Sequence, residues 1–294
     1  MRITNNIIQR NALAALQANA RGMASAQQRV STGIRVERAS DDPAAANAIM
    51  GSQSSLRSIE QYKRNIDSAR TYTAAEEGAL ESLTQVLDRA RELATQSSSA
   101  SADAGARAAA LTEVEQLYQH AIQIANTQLG GRYIFGGATA GVAPFDTAGT
   151  PTVGTDPTAG SPTVQIGRTL TIRTNHAASE VFTDSGVLQS LDDLRTALGG
   201  SDLDAIAQAG DAVRDGSQAV QNLLGEIGVW SNQLDVTTAN LDAVEMNLKT
   251  LKSDLQEVDF EEAMVDLISR QTSYQAAMMA TSRVMGMTLA DYLR

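Results

Sequence analysis

The sequence predicts a mainly α protein: a long antiparallel helical bundle or coiled-coil rod formed by both chain ends, with a small inserted β-rich domain. Three observations carry this expectation. Near the C-terminus, Leu234, Leu241, Val244, Leu248, Leu251, Leu255 and Val258 follow a seven-residue rhythm, the seam of a coiled coil. Near the N-terminus, Leu13, Leu16, Ala20, Met23, Gln27 and Val30 repeat it. Between these seams, residues 138–180 hold Pro144, Pro151, Pro157 and Pro162 among many Gly and Thr, which suits short strands and turns rather than helix.

The first helix is expected from about Asn5 to Thr32, with Gly33 as a left-handed cap that stops it. After the irregular GIRVERAS, Asp41-Asp42-Pro43 restarts a helix. An Asp can accept the free N–H groups of the first turn, and Pro has no N–H to leave unpaired there. Ile49, Leu56, Ile66, Leu80, Leu83 and Leu87 then recur on one face to about Thr95, a helix of roughly 75 Å at ~1.5 Å per residue. SSSASADAG (97–105) reads as a turn. Ala106 to Leu129 reads as a further helix, ended by Gly130-Gly131.

Thr163–Ile166 and Thr169–Thr174 alternate as strands do. A short helix is expected from Asp184 or Ser185 to Leu198. Helix then continues from Asp202, softened by Gly210, Gly216, Gly225 and Gly228. Around Glu257–Glu261 the heptad slips phase and a new face begins, with Phe260, Met264, Leu267, Gln271, Tyr274, Met278 and Met285. Such a slip predicts a joint between two segments. The expected organisation is a terminal assembly domain (1–40 and 257–294), a helical rod domain (41–137 and 184–256) and the inserted domain (138–183).

Composition narrows the function. A formal net charge of -11 argues against nucleic-acid binding through an overall basic surface. The charge is polarised. Residues 1–38 carry six arginines against Glu37, whereas Asp254, Glu257, Asp259, Glu261, Glu262 and Asp266 form an acidic run. These are either two solvated helix faces or two complementary ones, with each exposed ion pair worth only ~0–1 kcal/mol. The absence of cysteine excludes disulfides, thiolate zinc sites and thiol nucleophiles. There is no run of 18 apolar residues, so no membrane span is expected. The opening MRITNNIIQRNALAAL lacks the apolar core of a cleaved secretion signal.

No catalytic constellation is visible and no cofactor is expected. His120 and His176 are far apart and lack ligand-type spacing. GGRYIFGG (130–137) lacks the Lys-Ser/Thr of a phosphate loop, and the acidic run lacks the spacing of a calcium loop. Four methionines fall between Met278 and Met287. Methionine fills core stripes, and it also serves surfaces that accept several partners. The apolar side chains of Leu241–Val258 do not offset the entropy of ordering that segment alone. Both ends are therefore expected to become ordered rods on association.

VSTGIRVERASDDPAAANAI (30–49) resembles the N-terminal signature of the bacterial flagellins and their relatives, and EVDFEEAMVDLISRQTSYQAAMMATSRVMGMTLADYL (257–293) resembles the C-terminal one. RYIFGG (132–137) and the short insertion are similar to the hook-associated branch of that family, which joins hook to filament. The resemblance implies an extracellular flagellar subunit, exported by the flagellar secretion apparatus without a cleaved signal. The implied partners are other copies of itself, flagellin, a neighbouring hook-associated junction protein, and an export chaperone on the C-terminal helix. The assembly residues it implies are Leu13, Leu16, Met23, Val30, Phe260, Met264, Leu267, Tyr274, Met278, Met285 and Leu289. A short flagellin forming the filament itself, or an intracellular coiled-coil adaptor, are the alternative readings.

Overall fold

The computed structural model describes residues 2–99, 103–152, 162–200 and 202–292; the side chains of 2–6, 8, 9, 138 and 284–292 lie outside that description. Six α-helices dominate: α1 (Arg2–Thr32), α2 (Pro43–Ser97), α3 (Ala104–Ala125), α4 (Val187–Gly200), α5 (Leu203–Gln256) and α6 (Phe260–Tyr292). The chain forms two compact units, residues 1–57 with 244–294, and residues 58–243, so that α2 and α5 each contribute to both.

In the unit of residues 1–57 and 244–294, the caps follow the sequence. Gly33 has φ +69° and its N–H donates to the Arg29 carbonyl, which closes α1 with a residue that bears no Cβ. Oδ1 of Asp42 accepts the N–H groups of Ala44 and Ala45 at 3.1 and 3.0 Å and starts α2. The phase slip is a true helix break. α5 stops at Gln256 and α6 restarts at Phe260, where Asp259 Oδ1 caps the N–H groups of Glu261 and Glu262. The two connectors lie antiparallel at Ile34 and Glu257. Arg35 N–H donates to the Gln256 carbonyl at 2.7 Å, and Val258 N–H to the Gly33 carbonyl at 3.0 Å. Val36, Ala45 and Ile49 are buried beneath them, with Leu255 packed against the group.

The unit of residues 58–243 holds the main core. Leu80, Leu83 and Leu87 of α2 meet Val114 and Ala121 of α3, Leu191 and Leu194 of α4, and Ile206, Val213 and Val220 of α5. Gly210 and Gly216 do not break α5; they are contact points. A Cβ on Gly210 would stand 3.0 Å from the Ala94 Cβ, and one on Gly216 would touch Val187. Phe182 forms edge-to-face pairs with Phe135 and Phe145, at centroid distances of 5.3 and 5.8 Å, and so seals the insertion onto the helices.

Gly130-Gly131 does not end a helix, as the sequence suggests. α3 stops at Ala125, and the two glycines (φ +59° and +80°) make the turn of a hairpin between β1 (Gln128–Leu129) and β2 (Arg132–Tyr133). Paired positive φ angles match the twist of two-residue hairpins, and glycine adopts them without strain. A second hairpin joins β3 (Thr163–Gln165) and β4 (Thr171–Arg173), with Val164 opposite Ile172. Ile166 and Ile172 bury against Ile66 of α2 and Leu234 of α5. A π-helical turn, Ser179–Thr183, precedes α4.

Candidate assembly surface

α1 and α6 pack against each other and run antiparallel, since Arg29 bonds Asp266 while Gly22 lies beside Arg270. Among the more sheltered residues of α1, Ala12, Leu16, Asn19, Met23, Ala26 and Val30 follow one another at alternating spacings of four and three; Ala20, Gly22 and Arg29 flank them. On α6 the matching stripe is Ala263, Leu267, Tyr274, Ala277 and Thr281, with Met264 beside it. Of the sequence-predicted residues, Leu16, Met23, Val30, Met264, Leu267 and Tyr274 lie on this seam. Leu13 is instead exposed, because Ala12 takes the inward place one residue earlier; Gln27 likewise yields to Ala26. Phe260 and Met278 are also exposed. Met285 and Leu289 fall among the side chains outside the description.

Other exposed residues make a second apolar face that the sequence reading missed. Val265, Ile268 and Met279 are 68%, 58% and 61% exposed and run along α6 away from its α1-facing stripe, whereas Phe260 and Met278, also exposed, stand at the edge of that stripe beside Leu267 and Tyr274. Ile7 and Leu13 are likewise exposed on α1. A surface helix satisfied by one partner has a single apolar stripe. Two stripes on one helix fit packing between two neighbours, and contiguous exposed apolar side chains mark interaction sites. Periodicity carried the signal, since residues 265, 268, 272, 275 and 279 repeat at three and four, but Thr272 and Gln275 interrupt its hydrophobicity.

The charges are partly complementary. Asp266 accepts from Arg29 Nη2 at 3.1 Å and from Arg270 Nε at 2.8 Å, a three-residue chain across the two helices. Arg35 does not take an acid from the 254–266 run. It donates to the Leu255 carbonyl at 2.8 Å and lies 3.6 Å from Asp42. The Ala45 and Ala44 N–H groups and the Arg35 guanidinium hold the Asp42 carboxyl below its usual value. A cleft of about 620 Å³ opens beside this joint, lined by Arg21, Arg29, Arg35 and Arg38 together with Asp41 and Asp42. Asp254, Glu257, Glu261 and Glu262 form no ion pair among the described residues and stand exposed. The described residues contain no group suited to a metal ion, and no described helix is long and apolar enough to cross a membrane.

A model of the bacterial flagellin N-terminal helical region matches residues 3–140, and a model of the C-terminal helical region matches residues 211–293. The chain belongs to the bacterial flagellin family. The two matches leave only the segment 141–210 between them, and they place this flagellin-family chain among structural components of the flagellum. It is similar to the flagellar filament 31.3 kDa core protein of Treponema maltophilum, with 26% identity over 87% of each chain. It is equally similar to flagellar hook-associated protein 3 of Escherichia coli, with 25% identity over 93% of this chain and 96% of that one. Its fold is that of the flagellar junction protein FlgL of Legionella pneumophila, at a TM-score of 0.59 and 14% identity, over 71% of this chain and all of that one.

Proposed function

We propose that this flagellin-family protein joins hook to filament as a structural subunit, by helical self-assembly through its terminal helices. The observation that carries the reading is the second apolar face of α6, Val265, Ile268 and Met279, left open after α1 is paired, with Phe260 and Met278 exposed at the edge of the seam. In the assembly Leu13, Phe260 and Met278 contact neighbouring copies. Leu16, Met23, Val30, Met264, Leu267 and Tyr274 hold each subunit's own pair together. Met285 and Leu289 belong to the same proposal on sequence grounds. The division into a terminal assembly domain, a rod domain and an inserted domain (138–183) is part of it.

The partners proposed are further copies, flagellin on one side, a neighbouring hook-associated junction protein on the other, and an export chaperone that covers the α6 face before assembly. A chaperone explains how such a face avoids premature association. The place of action is outside the cell, reached by flagellar export. Likeness to a hook-associated protein 3 over nearly the whole of both chains supports the junction reading, as does the short insertion.

A filament-forming flagellin is the second reading, favoured by likeness of similar extent to a filament core protein. A deletion strain separates the two. Loss of a junction protein leaves unpolymerised flagellin leaking into the medium. Loss of the filament flagellin removes that protein from the medium altogether. Labelled electron microscopy gives the same division, with a thin band at the hook end for the junction and label along the filament for flagellin.

A further inference from the structure

His176 lies where three elements of the 58–243 unit meet, and assembly through α1 and α6 makes no use of it. Its backbone N–H and its Nδ1 both reach Oε1 of Glu76 on α2, at 2.9 and 2.8 Å. Its Nε2 stands 3.3 Å from Oε2 of Glu226 on α5. Trp230, one turn further along α5, stacks on the imidazole with centroids 4.5 Å apart and planes at 23°. His176 is 1% exposed and Glu76 fully buried, whereas the Glu226 side chain is 58% exposed. The other charged groups around the ring are Arg173 on β4, 5.6 Å from the Trp230 centroid, and Glu180 on the π-helical turn, paired with Arg173 at 2.6 Å.

Both ring nitrogens face carboxylate oxygens. A neutral imidazole donates from one nitrogen only, so the arrangement fits the imidazolium, which donates from both. The second oxygen of Glu76 is buried with no hydrogen-bond partner, which leaves that carboxylate dependent on the positive ring beside it. The geometry points to a protonation-controlled latch: the His176 imidazolium, clamped between Glu76 of α2 and Glu226 of α5, fastens residues 174–178 to the helices, and its deprotonation unfastens them. Burial, the largest influence, opposes the charge, and Arg173 does so too. The carboxylates of Glu76 and Glu226 outweigh them and raise the His176 pKa above its ordinary value. A raised pKa means that the latch is fully engaged below pH 6.5 and is lost as pH rises through the folded-state value.

The test follows the His176 ring by NMR in the full chain, together with emission from Trp230, the single tryptophan, and amide exchange of residues 174–178 corrected for intrinsic rates. The expected result is an imidazole midpoint above 6.5, a Trp230 transition at the same midpoint, and faster local opening on the alkaline side. The total rise in the opening constant should approach tenfold for each unit by which the folded pKa exceeds the open-state value. Glu226→Gln, at the exposed end of the clamp, should lower the midpoint, and His176→Gln should abolish the Trp230 transition in this range. A midpoint at or below 6.5, a transition that survives His176→Gln, or a midpoint unmoved by Glu226→Gln would overturn the latch. Should His176→Gln fail to fold, the Glu226→Gln midpoint decides alone.

Discussion

Arg270 crosses α1 at Gly22: a Cβ placed on Gly22 would stand 2.7 Å from Arg270 Nη1. Arg270 is held by its Nε to Asp266, but the contact is with the far end of a long, half-exposed side chain, and the planar guanidinium can tilt as a whole on that bond to give way. Gly22→Ala should therefore be tolerated and should stabilise the helix pair, up to the ~1 kcal/mol by which Ala exceeds Gly in a helix interior. Gly22→Phe has no such escape and should separate the helices. Thermal unfolding, with amide exchange of residues 20–30, reads both; a marked loss of stability with Ala would show that this approach is not adjustable.

The two faces of α6 make different demands. Ile268→Lys or Val265→Lys should leave monomer helicity unchanged and weaken assembly. Burying one such side chain is worth ~1.5–3 kcal/mol, which corresponds to a critical concentration about 10- to 100-fold higher. Tyr274→Ala, on the α1-facing seam, should instead reduce monomer helicity. Circular dichroism and light scattering separate the classes. Equal effects of Ile268→Lys and Tyr274→Ala on the monomer would contradict the assignment of the faces.

Acid should loosen the joint at Asp42 before it reaches the core. The folded-state pKa of this carboxyl lies below 3.8, so its contribution is present above that value and is lost as pH falls through the lowered one. Asp42→Asn keeps an acceptor for the Ala44 and Ala45 N–H groups but not the charge beside Arg35. It should retain the start of α2 at every pH and remove this acid dependence, whereas Asp42→Ala should fray residues 43–46 at neutral pH. Exchange of those amides against pH is the measurement.

Gly149 resists substitution on two counts. Its φ is +81°, and a Cβ there would overlap Tyr118 Oη, which donates to the Ala148 carbonyl at 3.2 Å. Gly149→Ala should cost ~1–3 kcal/mol in chemical denaturation, strain included, and should free the 146–150 turn. Tyr118→Phe in the same background should recover little, because the ring still occupies the space; full rescue would mean that the hydroxyl contact alone sets the cost.

Much of the architecture was legible because it rests on local chemistry. Gly33, the Asp42-Pro43 start and the break near Glu257 need only the sequence within a turn of themselves. Only half of the α1 seam was legible, Leu16, Met23 and Val30, because a search for large apolar residues chooses Leu13, whereas the helices also meet over Ala12, Asn19 and Ala26. Small residues allow close approach without any hydrophobic signal. Gly130-Gly131 was ambiguous for a different reason, since the same dipeptide ends helices and turns hairpins. His176 was beyond reach: Glu76 and Glu226 lie 100 and 50 residues away, and nothing near the histidine announces either. The outer face of α6, Val265, Ile268 and Met279, was not legible, because Thr272 and Gln275 break the apolar run at the middle.

The paired connectors have a mechanical consequence. Two chain segments, 33–36 and 255–258, lead from the α1–α6 pair to the neighbouring turns of α2 and α5, and they are stitched together by the Arg35–Gln256 and Gly33–Val258 backbone bonds. A pull on α1 is thus divided between two covalent strands instead of straining one, and neither helix slides lengthwise past the other without shearing those bonds. Under such a load the α1–α6 pair keeps its position along its own axis.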